Sequence, residues 1–204
     1  MNTALIWDLD GTLIDSYPVI VKSLLALCNE VGFFCTHTKI EYLVKSKSVS
    51  AFLVLLSQEC GLDFAALKKR YSAISRQNDN QISLLPYAAE VLAKLSVRGA
   101  SHFIYTHRGS SSLPIMERLG IGGYFRELVT SENGFPRKPD PAALFYLMEK
   151  YSFSPATSYY IGDRDLDIAC GKRANLQTVL LAGIHTTAQA DVIIDGLDEL
   201  LRLF

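Results

Sequence analysis

Short apolar runs alternate with amphipathic stretches along most of this chain, and each run stops at a polar or glycine-bearing turn. Residues 3–7 read as a strand buried on both faces, because the run carries neither charge nor apolar–polar alternation. Residues 101–105, 128–129, 158–161, 178–181 and 192–194 read the same way. Between these runs, apolar residues recur at helical spacing over 87–97, 112–119, 141–151 and 165–174. Pro141 suits a first helical turn, with Asp140 before it as N-cap. Strands alternating with helices predict an α/β fold, a doubly wound parallel sheet of Rossmann-like type.

One region breaks this rhythm. Residues 16–84 show no clear strand, only helical periodicity over 17–31, 38–44, 50–60 and 63–75, closed by the polar run 76–81. The expected organisation is therefore a core domain, 1–15 with 85–204, interrupted by an all-helical insertion, 16–84. The 204 residues suffice for one domain with such a module. Nothing repeats internally.

Composition narrows the function classes. Hydrophobic residues make up 49% and charged residues 20%, an ordinary globular mix. With 20 basic and 21 acidic residues there is no excess to attract nucleic acid or an anionic membrane surface. Cys28, Cys35, Cys60 and Cys170 lack C-x-x-C spacing and read as reduced thiols. No basic leader precedes the first apolar run, and Lys22 interrupts the apolar stretch 19–27. The expectation is a cytoplasmic protein without membrane or nucleic-acid partners.

Candidate chemistry gathers at the ends of predicted strands, where open α/β sheets place ligands. Asp8-Leu9-Asp10-Gly11-Thr12 follows the first strand. Carboxylates so close repel one another and call for a shared proton or a cation. Thr106 follows the strand 101–105, where a hydroxyl, helped by amides of the turn 109–112, can hold a phosphate oxygen. Lys138 stands before Pro139 and can neutralise anionic groups. Gly162-Asp163-Arg164-Asp165-Leu166-Asp167 puts acids one helical turn apart, a set of oxygen ligands suited to Mg²⁺. Taken singly, each of these also reads as a cap, a turn or a solvated surface.

In this order, the four clusters resemble the four motifs of the haloacid dehalogenase (HAD) superfamily. The helical insertion resembles the C1-type cap of its phosphoglycolate-phosphatase-like members. The resemblance implies that Asp8 attacks phosphorus and that Asp10 serves as general acid and base. It implies that Thr106 and Lys138 hold the phosphate. Mg²⁺ then falls to Asp8, the backbone carbonyl of Asp10, Asp163 directly, and Asp167 through water or Lys138. The implied substrate is a small phosphorylated metabolite, the implied state a monomer or homodimer. A cap of this type closes over the site and excludes water. His107 either touches a substrate carboxylate or is satisfied by backbone, and Arg108 beside it is a candidate for specificity.

Rival readings remain within the resemblance. A dehalogenase lacks the second acid, here Asp10. A sugar phosphomutase of the β-phosphoglucomutase type carries a histidine soon after that acid, where this chain has none before His37. A catalytically silent scaffold on the same fold would lose part of the set.

Overall fold

The computed structural model describes residues 3–182 and 189–204. Chain order begins β1 (Ala4–Trp7), β2 (Ile14–Asp15), α1 (Tyr17–Glu30), α2 (His37–Ser46), α3 (Val49–Cys60), α4 (Phe64–Asn78) and β3 (Ser83–Leu84). Helix and strand then alternate: α5 (Ala88–Val97), β4 (Ser101–Tyr105), α6 (Ser112–Arg118), β5 (Phe125–Val129) and α7 (Ala142–Tyr151). The remainder is β6 (Ser158–Gly162), α8 (Asp165–Arg173), β7 (Gln177–Leu181), β8 (Val192–Ile194) and α9 (Leu200–Leu203). Two compact units result, Met1–Asp15 with Ser83–Phe204, and Ser16–Ile82.

The first unit holds a parallel sheet in the order β5-β4-β1-β6-β7-β8. β1 lies inside it, paired with β4 through Leu5↔His102 and with β6 through Ile6↔Tyr160. All of β1 is buried, which accounts for its unbroken apolar run. Trp7 keeps its indole satisfied inside: Nε1–H donates to His102 Nδ1 at 3.1 Å. Strand order reverses at β1, so the carboxyl ends of β1, β4 and β6 border a single crevice.

The second unit is all-helical, with a core of its own around Leu24, Leu27, Ile40, Phe52 and Leu56. Burying each such side chain is worth roughly 1.5–3 kcal/mol. The starts of α2, α3 and α4 are capped by side chains: Thr36 accepts from Lys39 N, Ser48 from Ala51 N and Asp63 from Ala66 N.

Three local expectations are corrected. The chain pairs β2 with β3 as a short antiparallel ribbon, where no strand was expected. The helix expected over 63–75 runs on into the polar run: α4 extends to Asn78 and a 3₁₀ turn covers Asp79–Gln81. Asn78 supports that extension by donating from Nδ2 to Ile74 O at 3.0 Å. Pro141 is the N-cap residue of α7 rather than its first helical residue. Asp140 Oδ1 still accepts from Ala142 N at 2.9 Å, so its capping role survives.

Candidate active site

Asp8 sits one residue beyond β1, yet its N–H still donates to Ile161 O at 2.8 Å, so its backbone stays locked to the sheet. Gly11, at φ 83°, then reverses the chain, and the amides of Leu13 and Ile14 both converge on Leu9 O. Thr106 is held likewise beyond β4, its N–H donating to Val129 O at 2.9 Å. Lys138 comes from the connection between β5 and α7, and Asp163 follows β6 directly. The structure therefore assembles Asp8, Lys138, Asp163 and Asp167 from three separate stretches of chain.

The ammonium of Lys138 is the hub. It donates to Asp8 Oδ1 at 2.5 Å and to Asp167 Oδ1 at 2.7 Å, and all three side chains are almost wholly buried. The rings of Tyr105 and Tyr160 stand 5.1 and 5.4 Å from Nζ, adding cation–π attraction. Burial works against the charge on Lys138, but Asp167 and Asp8 outweigh it and hold its pKa above the ordinary lysine value. Asp8 goes the other way. Burial pushes its carboxyl up, Lys138 pulls it down, and Asp167 and Asp163 push it up again, to about 7.

Asp8, Asp163 and Asp167 each offer a carboxylate oxygen within 4.8 Å of the others. Thr12 donates from Oγ1 to Asp163 Oδ1 at 3.3 Å, and Arg164 N donates to Asp167 Oδ2 at 3.2 Å. Gly162 makes the approach of Asp167 possible, since a Cβ there would lie 2.6 Å from Asp167 Cγ.

Asp10 is paired with Arg108. Nη2 of Arg108 donates to Asp10 Oδ1 at 2.6 Å, while Nε lies 3.0 and 3.1 Å from the two carboxylate oxygens. The Arg108 amide donates to Thr106 Oγ1 at 3.1 Å. Among the described residues, nothing accepts the hydroxyl proton of Thr106.

His107 meets the chain itself. Its Nε2 accepts from Lys138 N at 2.8 Å. Burial first, then Lys138, Arg137 and Arg164, drive its pKa down to about 2, so the imidazole is neutral. This favours the backbone-satisfied alternative over a contact with a substrate carboxylate. Nor is the turn 109–112 wholly available to phosphate, because Ser110 N donates to Glu132 Oε1 at 2.8 Å.

Some contributors escaped the sequence reading. Thr12 and Gly162 lay inside the quoted motifs without a role, and Tyr105 and Tyr160 read only as strand residues. The Arg108–Asp10 pair had no local signal.

A family model described as haloacid dehalogenase-like hydrolase matches residues 5–181, from the central strand through to β7. The chain belongs to this family. A phosphoglycolate phosphatase from Vibrio vulnificus is 26% identical to this HAD-like hydrolase over 96% of the chain and 92% of its own length. A pyrophosphatase from Oceanobacillus iheyensis is 27% identical, covering 87% and 82%. The crystal structure of a predicted phosphoglycolate phosphatase from Haemophilus somnus matches with a TM-score of 0.87 at 22% identity. That match spans 99% of this chain and 97% of the other, and it shows the shared fold. Among the described residues, no helix is long and apolar enough to cross a membrane.

Proposed function

We propose that this HAD-like hydrolase is a Mg²⁺-dependent phosphatase, cleaving a small phosphomonoester of the phosphoglycolate kind through an aspartyl-phosphate on Asp8. The observation that carries the reading is the Lys138 ammonium bridging Asp8 and Asp167 beside Asp163, at the carboxyl end of the central strand. The cluster fits a cation: Asp8, Asp163 and Asp167 each bring a carboxylate oxygen within 4.8 Å of the others, and oxygen donors of this kind suit a hard divalent ion. Asp8, Asp163 and the backbone carbonyl of Asp10 would hold Mg²⁺, with Asp167 acting through water or Lys138. When bound, the ion offsets the negative charge of the phosphate, which otherwise repels an approaching carboxylate.

The residues then divide the work. Lys138 and the Thr106 hydroxyl hold the phosphoryl oxygens, and His107 fixes the backbone from which Lys138 projects. Asp8 attacks phosphorus, a P–O bond forms, and the bond to the leaving oxygen breaks as Asp10 gives that oxygen a proton. Asp10 next takes a proton from water as the water attacks the aspartyl-phosphate, releasing phosphate and restoring Asp8. The substrate is a small phosphorylated metabolite. The four free thiols fit the proposed cytoplasmic setting.

The test is Mg²⁺-dependent phosphate release from a panel of small phosphomonoesters and p-nitrophenyl phosphate. Asp8→Asn should keep the circular dichroism spectrum and lose turnover. Residual hydrolysis above about a tenth of wild type would remove Asp8 from the nucleophile's place. A hexose 1-phosphate isomerised while every ester stays intact would replace phosphatase by mutase.

A further inference from the structure

Arg108 is committed to the one group that the proposed cycle needs to have available. Its Nη2 and Nε contact both oxygens of Asp10, at 2.6 to 3.1 Å. The pair is screened from solvent, with the two side chains 9% and 22% exposed. A carboxylate spanned by a guanidinium cannot aim an O–H at a leaving oxygen, which is what a general acid must do. Turnover by the proposed route therefore begins with the parting of this pair.

A guanidinium fork leaves one carboxylate most readily for another of the same shape and charge. The transferring phosphoryl group already has Lys138 and Thr106 to hold it. A second anionic group on the substrate has no such partner. Arg108 is rooted beside the phosphate-holding hydroxyl, since its own amide donates to Thr106 Oγ1 at 3.1 Å. Its Nη1 also donates to Ser111 Oγ at 3.3 Å, an anchor that remains while the other nitrogens exchange partners.

We propose that Arg108 determines specificity by binding a substrate carboxylate, and that in the free protein Asp10 occupies the place of that carboxylate. A carboxylate-bearing substrate then frees Asp10 as it binds, whereas a substrate without one leaves Asp10 held. The kinetic half of this inference rests on the phosphatase reading, while the binding half stands without it.

The test pairs two non-hydrolysable probes, phosphonoacetate and methylphosphonate, titrated calorimetrically into wild type and Arg108→Gln with Mg²⁺ present. Wild type should bind phosphonoacetate more tightly, on the order of tenfold to a hundredfold. Arg108→Gln should erase that preference, and Arg108→Lys, which keeps the charge without the fork, should restore part of it. Kinetically, Arg108→Gln should lower kcat/KM for a carboxylate-bearing ester through KM and raise kcat for an ester with no second anion. Equal affinity of wild type for both probes overturns the proposal. So does an equal loss on both esters, which would make Arg108 a fixed strut for Asp10. If no ester is hydrolysed but the probes are still discriminated, the phosphatase reading falls and the carboxylate site stands.

Discussion

Gly162 ends β6, and a Cβ built on it would lie 2.6 Å from Cγ and 2.8 Å from Oδ2 of Asp167. Asp167 is wholly buried and shares the Lys138 ammonium with Asp8, so it has little room to yield. Gly162→Ala should therefore displace the Asp167 carboxylate and, through Lys138, the position of Asp8. The expected cost is about 1–3 kcal/mol of stability, as for other overpacked sites. Turnover should drop on the order of a hundredfold, because small misplacements of reacting groups are expensive. Denaturant melts and phosphate release measure the two effects, and wild-type turnover in a folded Gly162→Ala protein would contradict the packing argument. The side chains that bear charge were legible in the sequence, because Asp8, Asp10, Lys138, Asp163 and Asp167 recur in a recognisable order. Gly162 and Thr12 were visible but mute, since their role is what they leave room for or orient. The Arg108–Asp10 pair joins residues 98 apart in the chain, a distance at which no local pattern operates.

Between β1 and β4, the buried hydrogen bond from Trp7 to His102 makes strand pairing sensitive to acid. His102 is 1% exposed, and burial lowers its pKa from 6.5 to about 4. The folded state thus binds fewer protons than the unfolded chain below pH 6.5. Stability is complete above that pH and drains away as pH falls towards 4, by roughly 3 kcal/mol from this group alone. His102→Gln keeps an acceptor for the indole but does not titrate. Its melts in the absence of Mg²⁺ should start lower at neutral pH and fall less steeply between pH 6.5 and 4. Parallel pH profiles for the two proteins would show that His102 is not the acid-sensitive group. At this scale the long elements were readable because buried strands leave unbroken apolar runs and helices leave a period. The two-residue strands β2 and β3 leave neither, and α4 outran its apolar stripe because Asn78 and its partners extend it.

The insertion of one unit into the other was visible as an interruption of strand signals, but the sequence offered no view of how the chain leaves and returns. Asp15 and Ser83 are direct partners in the β2–β3 ribbon, on either side of Ser16–Ile82. Antiparallel partners stand only about 4.5–5.5 Å apart at Cα, a gap that a two-residue hairpin turn closes without strain. Replacing residues 16–82 with Asn-Gly should therefore give a chain that folds cooperatively, because the sheet-bearing unit has its own core around Ile6, Phe103, Leu144 and Tyr160. Circular dichroism should lose the helical signal of α1 to α4 and keep that of the sheet and its flanking helices. Asp8, Asp10, Thr106, Lys138, Asp163 and Asp167 all remain in the shortened chain. It should thus still be stabilised by Mg²⁺ in a thermal melt and still release phosphate from p-nitrophenyl phosphate. A broad, non-cooperative melt would mean that the sheet-bearing unit depends on the insertion for its fold. A cooperative melt without a Mg²⁺ shift would mean that the carboxylate cluster does not hold the ion unaided.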